Sequence, residues 1–290
     1  MSRIINQTEL HVKFIQMPTS FSIFQRPFII QNLKRSQKLF AEHRFLLQWG
    51  ARSLIDRVSD IRRDFQKILI LSSRESASLA TAFPKADIHI LDLLSPVCDP
   101  EDLAIDTGYD LILSLCDLHK MNDLPGVLIC LRRALKPDGV FLACFPGGET
   151  LHELRASLLH GEMIVLGGAS PRVFPFVDKQ QVGALLQRSG FSLPVVDSDI
   201  LSVSYRDIFH VMADLRGMGE ANALVGRHKY LSPSRLFSEA GQYYAENFVE
   251  PDGRITATFE MISFIGWAPH DSQPRPLTRG SGQISLKDVL

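Results

Sequence analysis

Lys67-Ile-Leu-Ile-Leu71 runs directly into Ser72-Ser-Arg-Glu-Ser-Ala-Ser-Leu79. Consecutive apolar residues after Lys67 predict a strand buried on both faces, as in a parallel sheet. The polar residues after Leu71 predict a turn and then a helix over about residues 75–83. In α/β folds the turn after such a first strand is where nucleotide-like ligands sit. A turn built for that purpose carries glycine, because backbone must approach the ligand and some positions need positive φ. Between Lys67 and Tyr109 the only glycine is Gly108. The strand therefore points to the fold, while the turn leaves open whether a ligand is still held there.

Moving outward, Ala86-Asp-Ile-His-Ile-Leu-Asp92 predicts a second strand ending in an acid. Asp92 lies about twenty residues past the first turn, where dinucleotide and adenosine folds hold the ribose hydroxyls. An Asp after a strand is also a common helix cap. Residues 93–108 are too few for a full helix and strand before Tyr109-Asp-Leu-Ile-Leu-Ser-Leu115, the next strong strand. Residues 97–105 predict the remains of a short strand and a turn, so this edge of the sheet is expected to be abbreviated. A helix over about 124–135 stops at Lys136-Pro-Asp-Gly139, with Pro and Gly where a turn wants them. Val140–Phe145 is the next strand, and Pro146-Gly-Gly-Glu-Thr150 opens a helix near Leu151.

Downstream, the pattern predicts a helix over 178–189, a strand over 193–204 and mainly helix over 205–248. Glu250-Pro-Asp-Gly253 then predicts a hairpin-like turn into a strand over 255–267. Upstream, Leu46, Trp49, Leu54, Ile55 and Val58 recur at helical spacing through Phe45–Ser59, behind a basic stretch with Arg26, Lys34, Arg35 and Lys38. Strands alternating with helices predict an open α/β sheet, with a hairpin-like pair at its end. The expected organisation is an arm (1–20), one domain (21–268) with a helical insertion (205–248), and a surface tail (269–290).

With 45% hydrophobic and 22% charged residues the chain has an ordinary globular composition. A formal net charge of −1 supplies no global field toward nucleic acid or a membrane surface. No apolar run approaches the roughly 20 residues of a membrane span. The first 20 residues show neither a signal peptide's apolar core nor an Arg-rich transit pattern. Cys98, Cys116, Cys130 and Cys144 are widely spaced, which speaks against a zinc site or disulfide framework and for a reducing compartment.

Tyr109-Asp-Leu-Ile-Leu-Ser, Leu118-His119, Asn122-Asp-Leu-Pro125 and Leu135-Lys-Pro-Asp-Gly139 resemble the class I S-adenosylmethionine-dependent methyltransferase fold. More narrowly, the chain resembles the respiratory complex I assembly factor 5 family and its alphaproteobacterial relatives. That likeness rests on Leu54-Ile-Asp-Arg-Val-Ser-Asp-Ile61, Gly147-Gly-Glu-Thr-Leu-His-Glu-Leu-Arg155, Gly168-Ala-Ser-Pro-Arg172 with Pro175-Phe176, Asp214-Leu-Arg-Gly-Met-Gly-Glu-Ala-Asn222 and Gly266-Trp-Ala-Pro-His-Asp-Ser-Gln273. The resemblance implies a Rossmann-like, seven-stranded, mostly parallel sheet whose last strand is antiparallel. It also implies S-adenosylmethionine as cofactor and a protein client, an iron–sulfur core subunit of complex I. For the mitochondrial member it implies hydroxylation of an arginine. The implied compartment is the bacterial cytoplasm or the mitochondrial matrix.

The resemblance carries cofactor positions onto Ser72, Arg74, Ser76, Asp92, Asp99 and Leu115. The family's acid falls on Ile70, and its three glycines fall on Ser72, Arg74 and Ser76. A residue with Cβ in a left-handed conformation costs about 1–2 kcal/mol, so the turn is expected to take another path. Arg74 takes up space the cofactor's aminoacyl end would need, and it repels an ammonium and a sulfonium. His119 is a candidate acid or base, or a buried structural histidine. Glu149 and Glu220 are candidate contacts to a substrate cation, or ordinary helix-end and surface acids. No metal ligands are assigned. Three functions stay open: an enzyme acting on a protein arginine, a non-catalytic assembly chaperone that has lost its cofactor, and a malonyl-carrier-type methyltransferase.

Overall fold

The computed structural model describes residues 3–4, 22–95 and 105–274. Its strands are β1 (Arg3–Ile4), β2 (Lys67–Leu71), β3 (Asp87–Leu91), β4 (Tyr109–Leu115), β5 (Leu135–Pro146), β6 (Ser192–Tyr205) and β7 (Ile255–Trp267). The helices are α1 (Arg26–Ser36), α2 (Phe45–Ser59), α3 (Ser76–Ala80), α4 (Leu124–Ala134), α5 (His152–Leu166), α6 (Lys179–Arg188), α7 (Ile208–Met218) and α8 (Ser234–Asn247). All seven strands join one sheet in the order β1-β3-β2-β4-β5-β7-β6. Neighbours from β1 to β5 run parallel, and β7 lies antiparallel between β5 and β6. This is the class I methyltransferase arrangement: a mostly parallel Rossmann-like sheet with an antiparallel last strand.

Alternate residues of β2 face opposite layers, which is why the whole run is apolar. Ile68 and Ile70 join a core with Leu54, Val58, Leu113 and Leu142. Leu69 and Leu71 join the other core with Ile112, Val127, Leu131 and Phe141. The periodicity of α2 buries Leu46, Leu47, Gly50, Ala51, Leu54 and Val58. Gly50 lets the helix close onto the sheet, since a Cβ there would stand 2.7 Å from Leu115 Cδ1.

Some expectations shift in detail. The helix after β2 is shorter, Ser76–Ala80. At Lys136–Gly139 the left-handed residue is Asp138 (φ 62°), and Gly139 serves close approach instead. A Cβ on Gly139 would lie 2.9 Å from the Lys136 carbonyl and 3.0 Å from that of Tyr109. Asp138 is held there by Arg63 and Gln273. The position beside β3 is taken by β1, from within the stretch read as an arm. Residues 96–104 lie outside the described residues, and with them most of the expected strand remnant. The β6–β7 pair is antiparallel as expected, and α7 and α8 lie between the two strands in the chain, where mainly helix is expected. The reversal at 250–253 closes with Gly253 at φ 83° and a 2.7 Å bond from Glu250 N–H to the Arg254 carbonyl. Among the described residues no helix is long and apolar enough to cross a membrane.

Candidate functional site at the carboxyl edge of the sheet

The carboxyl ends of β2 and β4 lie side by side, and the turns leaving them are bonded to each other. Asp117, buried after β4, accepts from Ser73 N–H (2.7 Å) and Ser73 Oγ (2.8 Å). Ser72 Oγ accepts from the Glu75 N–H at 3.1 Å. Buried Glu75 pairs with Arg44 at 3.2 Å and accepts from Ser78 Oγ at 2.6 Å. No residue from 72 to 76 has positive φ. The turn therefore does take a path that needs no glycine, and its Ser73 and Glu75 amides are bonded within the protein.

Arg74 leaves this turn toward α1. It donates to the Leu33 carbonyl and, at 2.5 Å, to Ser36 Oγ, and its guanidinium lies 4.4 Å from the centre of the Phe40 ring. Burial lowers its pKa, while Glu220, Asp117 and Asp92 act in the opposite sense. Ser76 is the half-buried first residue of α3. Asp92 accepts from Leu94 N–H at 2.9 Å, a local turn cap. Leu115 is fully buried against α2. Asp99 lies outside the described residues.

Beyond β4, Cys116 adopts φ 55°, a left-handed conformation costing about 1–2 kcal/mol for a residue with Cβ. That kink leads into a short 3-10 turn, Leu118–Lys120, in which His119 and Lys120 are buried. Glu220 meets them from α7. The helix ends on Gly219 (φ 85°), with Gly219 N–H on the Arg216 carbonyl and Glu220 N–H on that of Leu215. This Schellman-type stop turns Glu220 back toward the sheet. Lys120 Nζ lies 2.5 Å from Glu220 Oε1, and His119 Nε2 lies 3.6 Å from Oε2.

Burial works against the Glu220 carboxylate, yet Lys120, 2.5 Å away, holds it down at about 2. Burial would lower the Lys120 pKa, but Glu220 and Asp117 raise it, so the pair is ionised. Burial lowers His119, and its imidazole is neutral. Neither His119 nitrogen has a hydrogen-bond partner. Burial pushes Asp117 up to about 6, against Lys120 and the Ser73 bonds.

His119, Cys116 and Glu220 form the polar end of a cavity of about 60 Å³ walled by Leu46, Leu154, Phe174 and Phe259. Ligand pockets commonly run to about 300–1,000 Å³, so this one admits a side chain's tip or a few waters. Val173, Phe176 and Arg172 line it and also line an outer groove of about 600 Å³. The groove is walled by Ile23, Leu158, Leu159, Pro175, Leu224 and Val225.

The structure brings His119 and Glu220 together. Glu149 sits apart, exposed before α5, with its N–H on the Glu260 carboxylate at 3.0 Å. Of the adjacent glycines, Gly147 is needed for close approach, since a Cβ would stand 2.5 Å from Ile262 and 2.6 Å from Glu260. Gly148 has no neighbour nearer than 3.7 Å. Asp117 and Lys120 escaped the sequence reading. The signal available was two charges inside an otherwise apolar post-strand turn. Among the described residues no three His, Cys, Asp or Glu side chains are grouped to hold a metal.

No protein-family model matches the chain. Arginine-hydroxylase NDUFAF5, mitochondrial, of Mus musculus is 35% identical over 300 residues, covering 94% of this chain and 85% of that protein. The chain belongs to the NDUFAF5 family. The relative of the same name from Danio rerio is 42% identical over 181 residues, 62% of this chain and 56% of that protein. In that match the chain spans little more than half the relative's length. A malonyl-[acyl-carrier protein] O-methyltransferase of Halorhodospira halophila is 29% identical over 94% of this chain and 98% of that protein. The solved phosphoethanolamine N-methyltransferase 2 of Haemonchus contortus, in complex with S-adenosyl-L-methionine, gives a TM-score of 0.47 at 13% identity, covering 89% of this chain and 62% of that one.

For an NDUFAF5-family fold, the implied cofactor is S-adenosylmethionine. The turn after β2 does not fit its aminoacyl end. The Ser73 and Glu75 amides are already bonded to Asp117 and Ser72, and the Arg74 side chain between them ties the turn to α1. The Asp92 carboxylate is committed in part to Leu94.

Proposed function

We propose that this chain is an NDUFAF5-type assembly factor that holds a protein client without using S-adenosylmethionine in the seat after β2. The client is an iron–sulfur core subunit of the respiratory complex. An extended client segment lies in the apolar groove, and one side chain passes Phe176 into the inner cavity. The observation that carries this reading is the shared wall: Arg172, Val173 and Phe176 face both the groove and the cavity. Arg74 anchored on α1 supports the non-catalytic form, because its positive charge opposes a sulfonium at the same edge.

A second reading keeps an enzyme. His119 is neutral with both nitrogens free of hydrogen bonds, as a proton-accepting group near a bound substrate would be. In that form the reaction is the arginine hydroxylation for which the relatives are named, or a methyl transfer.

Calorimetry with S-adenosylmethionine, run beside capture of the purified client subunit, separates the two. Client capture without cofactor heat is the outcome expected. Micromolar cofactor binding removes the non-catalytic form, and failure to capture the client removes the assembly role.

A further inference from the structure

We infer that the Arg74 side chain is a built-in cation. It stands in for a ligand's positive charge at the carboxyl edge of β2 and β4 and latches α1 over that edge. The inference rests on the proposed function and names the residue that closes the seat.

Arg74 is held at both ends of its reach. Its backbone belongs to the turn pinned by Asp117 and Ser72. Its guanidinium bonds the Leu33 carbonyl and Ser36 Oγ at the last turn of α1 and lies over Phe40. A Cβ on Gly219 would stand 3.3 Å from Arg74 Nη2, which brings the guanidinium against the residue preceding Glu220. Acids from three separate segments act on its charge: Glu220 after α7, Asp117 after β4 and Asp92 after β3. Other charges at this edge are already paired, Lys120 with Glu220 and Arg44 with Glu75. With the side chain removed, the place of the positive charge on which Glu220, Asp117 and Asp92 act is left open beside α1. That space suits an organic cation carrying sulfonium charge.

The test uses the full chain and two probes, S-adenosylmethionine and its thioether S-adenosylhomocysteine, which keeps the ammonium and lacks the sulfonium charge. The wild type is expected to give no heat with either at about 1 mM, and Arg74→Gly is expected to bind the sulfonium at least about tenfold more tightly than the wild type. The gain is expected to exceed that for the thioether. Hydrogen exchange of the α1 amides is expected to speed up in Arg74→Gly. Should that variant not fold, Arg74→Met keeps the packing on Phe40 and loses the bonds to Leu33 and Ser36, so the exchange arm is read on it.

Micromolar binding by the wild type overturns the inference, and so does a folded Arg74→Gly with no gain. An equal gain for both probes overturns the charge substitution, and unchanged exchange in α1 overturns the latch. Client capture is scored separately. A wild type that binds the sulfonium tightly and still captures its client sinks this inference alone. Loss of capture sinks the assembly reading instead.

Discussion

Lys120 and Glu220 are stable only as a pair. A buried ammonium left without its carboxylate is strongly unfavourable, so Glu220→Gln is expected to cost about 3–5 kcal/mol in urea unfolding. Lys120→Met combined with Glu220→Gln is expected to recover most of that loss, because no charge then remains buried. Asp117 and Glu220 also give opposite pH signatures. The Asp117 carboxyl sits at about 6 against an ordinary 3.8, so between those values the folded chain holds a proton the unfolded chain has released. Its stabilising share is full below the ordinary value, falls as pH rises to about 6, and is flat above. Glu220 sits at about 2 against an ordinary 4.5, so its share is full above 4.5 and is lost as pH falls. Urea midpoints measured from about pH 4.5 to about 6, above the Glu220 window and inside that of Asp117, are therefore expected to fall with rising pH in the wild type. The fall is expected to flatten in Asp117→Asn. An unchanged slope in that variant would show that the proton is held elsewhere.

Among the elements, α2 was legible from the helical spacing of Leu46, Leu54 and Val58, and β7 from the turn at Glu250–Gly253 that precedes it. The turn after β4 was not. Its Asp117, His119 and Lys120 carry no periodic signal, and their burial depends on α7 arriving from about a hundred residues later in the chain. The α5–α8 contact was likewise invisible. Gly161 is internal to α5, where glycine is unfavourable, yet a Cβ there would stand 2.5 Å from the Leu236 carbonyl and 3.2 Å from Ala240. Gly161→Val is expected to cost about 1–3 kcal/mol by overpacking this crossing. Gly168→Val, at an exposed glycine with nothing within 4 Å, is expected to change stability by no more than about 0.5 kcal/mol. Thermal unfolding of the two variants side by side checks both. Equal stability would mean that α5 and α8 are not in contact.

For the whole molecule, the groove joins α5, the segment after it and the loop after α7 into one apolar surface. Leu159 is 48% exposed, Ile23 47% and Val225 38%, which is more apolar side chain than the groove's own packing requires. Leu159→Asp and Val225→Asp are expected to weaken client capture at least about tenfold while leaving the unfolding midpoint unchanged. Intact capture by both variants would move the client site elsewhere. By itself the sequence determined the strands from β2 onward, most helices, the fold class and the loss of the glycine turn after β2. Each of these is written in local spacing and residue type, and local backbone sterics read them directly. Only the tertiary structure decided that Arg74 reaches α1, that Glu220 rather than Glu149 joins His119, and that Lys120 completes the site. Those pairings depend on which strand ends become neighbours when the sheet closes, and electrostatic partners separated by so much chain leave no mark on local periodicity.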